Sequence, residues 1–121
     1  MIASNPAKPE GYFFDAMTAW WAINIDRDND ALYDEFYKKV DKVEEICDKI
    51  LDKNEDEPDA LFYKGGALGY RGLVYSLKDS WLKAAQDGKS ALNLLDRANE
   101  INPNNPDVKF GLGIYNYFAE F

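Results

Sequence analysis

Residues 33–50, YDEFYKKVDKVEEICDKI, and residues 81–98, WLKAAQDGKSALNLLDRA, are the same helix written twice. Tyr33, Phe36, Val40, Val43, Cys47 and Ile50 recur 48 positions later as Trp81, Ala84, Gly88, Ala91, Leu95 and Ala98. Both sets step by three, four, three, four and three. That spacing marks one face of an α-helix, so an amphipathic helix is expected at each place.

A second repeat precedes each of these. PEGYFFDA starts at Pro9, PDALFYKG at Pro58 and PDVKFGLG at Pro106, each with an acid second, Phe fifth and a small residue eighth. The starts lie 49 and 48 residues apart, so one unit holds two helices. Helix A is expected near 9–25, 58–76 and 106–120, and helix B near 30–53 and 80–101. Asn105-Pro106-Asp107 supplies a cap, a proline in the first helical position and an acid against the positive helix end. Lys8-Pro9-Glu10 and Glu57-Pro58-Asp59 use the same first turn with poorer caps. The A–B turns, Asp26 to Asp30 and Lys78-Asp79-Ser80, are short, polar and end in capping residues, which makes the paired helices antiparallel.

A single amphipathic hairpin cannot bury its own face, so the hairpins should stack into an all-α solenoid of about five helices. The expected layout is a flexible segment 1–8 followed by one domain, 9–121, made of repeats 9–57 and 58–105 and a half repeat 106–121. Phe110, Leu112, Ile114, Tyr115, Tyr117, Phe118 and Phe121 then lack a helix B of their own. Three arrangements would cover them: continuation beyond Phe121, a capping role for this helix, or a second chain.

The totals remove whole classes of function. With 121 residues, 46% apolar and 15% aromatic, the chain is long and apolar enough for one core. Fourteen basic against twenty-two acidic residues leave a charge of −8, which repels nucleic-acid backbones and anionic lipid. No histidine and one cysteine exclude a His/Cys zinc site, a Ser-His-Asp triad and an internal disulfide. The longest mostly apolar stretch, Ala16 to Ile25, is ten residues, short of the roughly 18–20 that span a bilayer. The opening MIASNPAKPE lacks the charged and apolar regions of a secretory signal, and the compartment stays open, cytoplasmic or cell envelope.

Ala91, Leu95, Ala98 and Pro103 keep the helix B spacing of tetratricopeptide repeats, Leu112-Gly113 restores their Leu-Gly pair ten residues after Pro103, and Gly65, ten residues after Glu55, repeats that step. The chain from 9 to 121 resembles that family, with a unit about 14 residues longer than the family's roughly 34. At 3.6 residues per turn this adds about two turns to each helix. The family's helix A tyrosine is replaced by Ala19, Leu68 and Asn116. The resemblance implies a protein-interaction scaffold without enzymatic activity or cofactor, binding a protein or peptide or a second copy of itself. It also implies a groove lined by helix A, here Phe13, Met17, Trp20, Trp21, Phe62, Gly66, Gly69, Tyr70, Phe110, Ile114, Tyr117 and Phe118, with Glu10, Asp59 and Asp107 as an acidic edge. The lysine and asparagine with which some members clamp a C-terminal carboxylate are replaced by Phe13 and Met17.

The aromatic set admits two readings: an open groove for an amphipathic helix, or burial between helix layers or in self-association. An oligomerisation module and a binder of a small apolar ligand between hairpins remain as alternatives. Other features read as structural. Gly65, Gly69 and Gly72 share a face that lets helix B approach through Ala84, Ala85 and Ala91, and the run fits no phosphate-loop pattern. Asp26-x-Asp28-x-Asp30 and Asp52-x-Asn54-x-Asp56 lack the glycine and glutamate of calcium loops. Asp15 is expected to pair with Lys64, and Cys47 to be a small buried side chain.

Overall fold

A computed structural model describes residues 8–104 and Gly113. Four helices occur among them: α1 Pro9–Ile25, α2 Asp30–Lys53, α3 Pro58–Leu77 and α4 Trp81–Ile101. The expected segment 1–8 and helix 106–120 lie outside the described residues, save Lys8, which precedes the first turn of α1, and Gly113.

The helix starts follow the first-turn chemistry of the sequence. Proline occupies the first turn of α1 and α3, where its missing N–H is no loss. Asn29 caps α2 by accepting from the Ala31 N–H at 3.2 Å, and Glu57 accepts from the Asp59 N–H at 3.4 Å. Ser80 corrects the expectation: its side chain makes no cap bond. Its N–H instead bonds the Tyr75 carbonyl at 2.9 Å, while the Asp79 N–H bonds Ser76 O at 3.2 Å. Together with Asp79 at φ 58° these two bonds form a Schellman ending for α3.

Cross-links between helices give their directions. Asp15 pairs with Lys39, and Lys42 lies over the Tyr12 ring, so α1 and α2 run antiparallel. Lys64 with Asp48 and Lys78 with Asp30 make α2 and α3 antiparallel. Gly65 against Leu95 and Gly72 against Ala84 do the same for α3 and α4. Phe13 against Gly66 and Trp20 against Tyr70 set α1 parallel to α3. Among the described helices α3 therefore touches the other three, while the backbone of α4 approaches only that of α3.

The main core is shared by α1, α2 and α3 and includes Ala16, Ile23, Phe36, Val40, Val43, Cys47, Ala67 and Val74, all completely buried. Full burial of side chains such as Phe36 or Val40 contributes roughly 1.5–3 kcal/mol each, and Phe36→Ala would cost about 3–5 kcal/mol. A smaller cluster joins Leu61 and Ala98 to Leu51, Phe62 and Leu94 at the other end of the hairpins.

The recurring helix B face is inward in both copies with one exception. Tyr33 is buried, because its hydroxyl donates to Arg27 O at 2.8 Å and Lys78 covers its ring at 4.1 Å. Trp81, its repeat equivalent, is 64% exposed. α3 and α4 come so close at Gly72 and Ala84 that an indole at the start of α4 has no space between them. Ala85 is likewise exposed, one residue off the face carried by Ala84 and Ala91.

Candidate functional site

α1 and α3 lie side by side in the same direction, offset by one repeat, and this juxtaposes their aromatic residues. The Phe13 ring sits 5.3 Å from Tyr63 and 6.4 Å from Tyr70, and Trp20 sits 5.0 Å from Tyr70. Trp20 continues the chain of rings to Trp21 at 5.1 Å, and Tyr63 to Phe62 at 5.1 Å. Most of these contacts are edge-on or tilted, the arrangement that aligns a ring's positive edge with its neighbour's negative face. Gly66 forms the socket for Phe13, whose ring carbon lies 3.1 Å from where a Cβ would stand.

Of the residues expected to line a groove, Phe13, Met17, Trp20, Phe62 and Tyr70 are half-buried in or beside this seam. Gly69 faces α4 instead, with Ala91 as its neighbour. Trp21 stands out from the seam at 61% exposure, and Glu10 and Asp59 are exposed at the opposite end. Phe110, Ile114, Tyr117, Phe118 and Asp107 lie outside the described residues. Two exposed apolar residues of α1 escaped the reading, Phe14 at 48% and Ile25 at 84%. α1 is apolar around its whole circumference, so no periodicity told its inner face from its outer one.

The other face of α3 forms an open polar cleft of about 380 Å³ between α2 and α4, bordered by Glu44, Lys64, Leu68, Arg71, Asp87, Ser90, Asn93 and Leu94. Arg71 is its centre. Nε and Nη2 donate to Asp87 at 2.7 and 2.9 Å, and Nη1 donates to Glu44 at 2.7 Å. Asp87 foremost, then Glu44, hold the guanidinium charged against the cost of burial. With its donors committed to carboxylates, Arg71 ties three helices together.

The remaining candidates resolve into structure. Asp15 pairs with Lys39 of α2 at 2.9 Å, and Lys64 pairs with Asp48 at 2.6 Å, which corrects the expected Asp15–Lys64 link. Helix B lies nearer to both than they lie to each other. In the acidic turns, Asp30 binds Lys78, which lowers its pKa, and Asp56 binds Arg97. Among the described residues no group of His, Cys, Asp or Glu is placed to hold a metal ion. Cys47 is fully buried, and burial pushes its thiol up to about 12, so it is protonated at neutral pH.

The chain matches no protein family, no curated protein and no solved structure. Among the described residues no helix is long and apolar enough to cross a membrane.

Proposed function

We propose that the chain is a protein-interaction scaffold, a tetratricopeptide-like stack of elongated helical hairpins that binds a peptide or helix through its helix A surfaces. One observation carries this reading. α1 has only two charged side chains in 17 residues, Glu10 and Asp15, yet among the described helices it packs against α2 and α3 alone. A helix apolar on all sides is suited to neighbours on all sides, and the side of α1 that has none bears an exposed tryptophan. Exposed aromatic surface of this kind marks interaction sites.

Selection from a random peptide display library on the folded chain tests the proposal. Peptides should be enriched on the folded chain and not on urea-unfolded chain. The variant Trp20→Ala/Phe62→Ala, first checked for an unchanged circular dichroism spectrum, should bind them at least tenfold more weakly. Survival of the affinity in that variant would remove the seam from the site, and failure to enrich any peptide would end the interaction reading.

A further inference from the structure

Phe14, Thr18, Trp21 and Ile25 follow one another by four, three and four residues, a single line along the surface of α1. Adding the 49-residue step between Pro9 and Pro58 moves this line to Tyr63, Ala67, Tyr70 and Val74 of α3. In α3 the line is the packing face toward the preceding hairpin. Tyr63 and Tyr70 lie against Phe13, Tyr70 also against Trp20, and Ala67 and Val74 are completely buried in the core shared with α1 and α2. α3 thus shows what this side of the repeat does when a helix rests on it. In α1 the same side is open, with Phe14 48%, Trp21 61% and Ile25 84% exposed.

Charge decides what kind of helix fits there. α3 receives the acidic α2 through three cations: Lys64 meets Asp48, Arg71 meets Glu44, and Lys78 meets Asp30. One repeat earlier those positions are Asp15, Ala22 and Asn29. Asp15 is already held by Lys39 from behind. At the ends of the open line stand Glu10 on one side and Asp26 and Asp28 on the other, exposed, against Lys8 and Arg27. An incoming helix with the acids of α2 would therefore meet no cation along the line, and at its ends only Lys8 beside Glu10 and Arg27 between Asp26 and Asp28.

A second copy fits poorly on the same grounds. Each chain carries −8, and pairing two α1 helices across a twofold axis would bring both sets of acids together.

We infer that the outer line of α1 receives one amphipathic helix of another protein, with apolar residues at i, i+3, i+4 and i+7 on the line and lysine or arginine toward its ends. This rests on the interaction reading above and narrows it to one face and one partner chemistry.

The test uses the whole chain and two fluorescently labelled peptides with one shared leucine pattern, one with lysine and the other with glutamate at every polar position. Anisotropy titration should show saturable binding of the lysine peptide and at least tenfold weaker binding of the glutamate peptide. Phe14→Ser/Trp21→Ser should weaken the lysine peptide at least tenfold with an unchanged thermal melt, whereas Trp81→Ser, an equally exposed tryptophan off the line, should leave it unchanged. Equal binding of both peptides, or full affinity in Phe14→Ser/Trp21→Ser, overturns the inference. So does a dimer, seen by light scattering, that this variant dissociates, since a second copy would then occupy the line. If affinity falls in Trp20→Ala/Phe62→Ala but not in the line variant, the scaffold reading stands and this inference falls. If neither designed peptide nor any library peptide binds, both fall.

Discussion

Arg71 and Asp87 face each other across the α3–α4 interface with two parallel hydrogen bonds, Nε to Oδ2 at 2.7 Å and Nη2 to Oδ1 at 2.9 Å. The geometry matters because the backbones of α2 and α4 do not approach each other closely. Nη1 of the same guanidinium reaches Glu44 of α2, so one side chain spans the two outer helices. Bidentate pairing of this kind is stronger and more directional than a point contact with lysine would be.

Breaking that pair from one side leaves a charge in place without its partner. Asp87 is only 7% exposed, so Arg71→Met should destabilise the chain by about 2–4 kcal/mol, the lower part of the range for buried pairs because the cleft is open to water. Arg71→Met/Asp87→Leu should recover more than half of the loss, since neither charge then remains. Urea unfolding of the parent, both single variants and the double variant measures the coupling. A loss below about 0.5 kcal/mol in Arg71→Met would mean that solvent screens the pair.

Two glycines of α3 should respond to alanine with opposite sign. A Cβ at Gly69 would stand 3.7 Å from the Ala91 methyl, an ordinary contact, so Gly69→Ala should stabilise by about 0.5–1 kcal/mol through helix propensity. A Cβ at Gly72 would stand 3.3 Å from the Ala84 carbonyl oxygen and 3.4 Å from the Asp87 Cβ. Backbone cannot step aside as a side chain can, so Gly72→Ala should lose about 1 kcal/mol or more despite its better propensity. Melting temperatures of the two variants measured together check the contrast, and two shifts in the same direction would refute it.

How far such detail could be read beforehand varied with the kind of signal. Proline at 9 and 58 and the three-four spacing from Tyr33 to Ile50 placed the four described helices to within about a residue, because those signals are local. Burial along α2 followed as well, from Phe36 to Cys47. The Asp15–Lys39 pair did not, since a repeat frame aligns equivalent helices and says less about which long side chain reaches across a hairpin. The seam was half legible: Phe13, Trp20, Phe62 and Tyr70 follow from the repeat, whereas the exposure of Phe14 and Ile25 depends on which side of an evenly apolar helix is covered.

The turn after α3 offers a stabilising change. Asp79 holds φ 58°, in the left-handed region that strains a residue bearing a Cβ, and its N–H completes the helix ending on Ser76. Glycine removes the strain, partly offset by its greater freedom in the unfolded chain. Asp79→Gly should gain about 0.5–1 kcal/mol in urea unfolding, a strain of about 1–2 kcal/mol less the cost of glycine's freedom, and a loss would show that the aspartate makes a contact worth more than the strain.

Alkaline pH should expose the burial of Cys47. Its thiol lies in the core among Val40, Val43 and Ala60, and burial, helped by the neighbouring Asp48 charge, pushes it from an ordinary 9.0 up to about 12. A folded pKa raised above the unfolded one means stability that is complete below about pH 9 and is lost as pH rises toward 12, because only the unfolded chain releases the proton in that window. The loss from this group alone is about 1.4 kcal/mol at pH 10. Lys39, raised by its hydrogen bond to Asp15, and Tyr37, raised by burial, add losses of the same sign that begin higher, near their ordinary values of 10.5 and 10.0. Cys47→Val keeps a side chain of similar size and removes only the thiol's share. The stability difference between parent and Cys47→Val, followed by urea unfolding, should therefore stay flat from pH 7 to about 8.5. It should then move in favour of the variant by about 1.4 kcal/mol at pH 10. Parallel curves throughout would mean that the thiol ionises as readily in the folded chain as in the unfolded one, and that the core around Cys47 admits water.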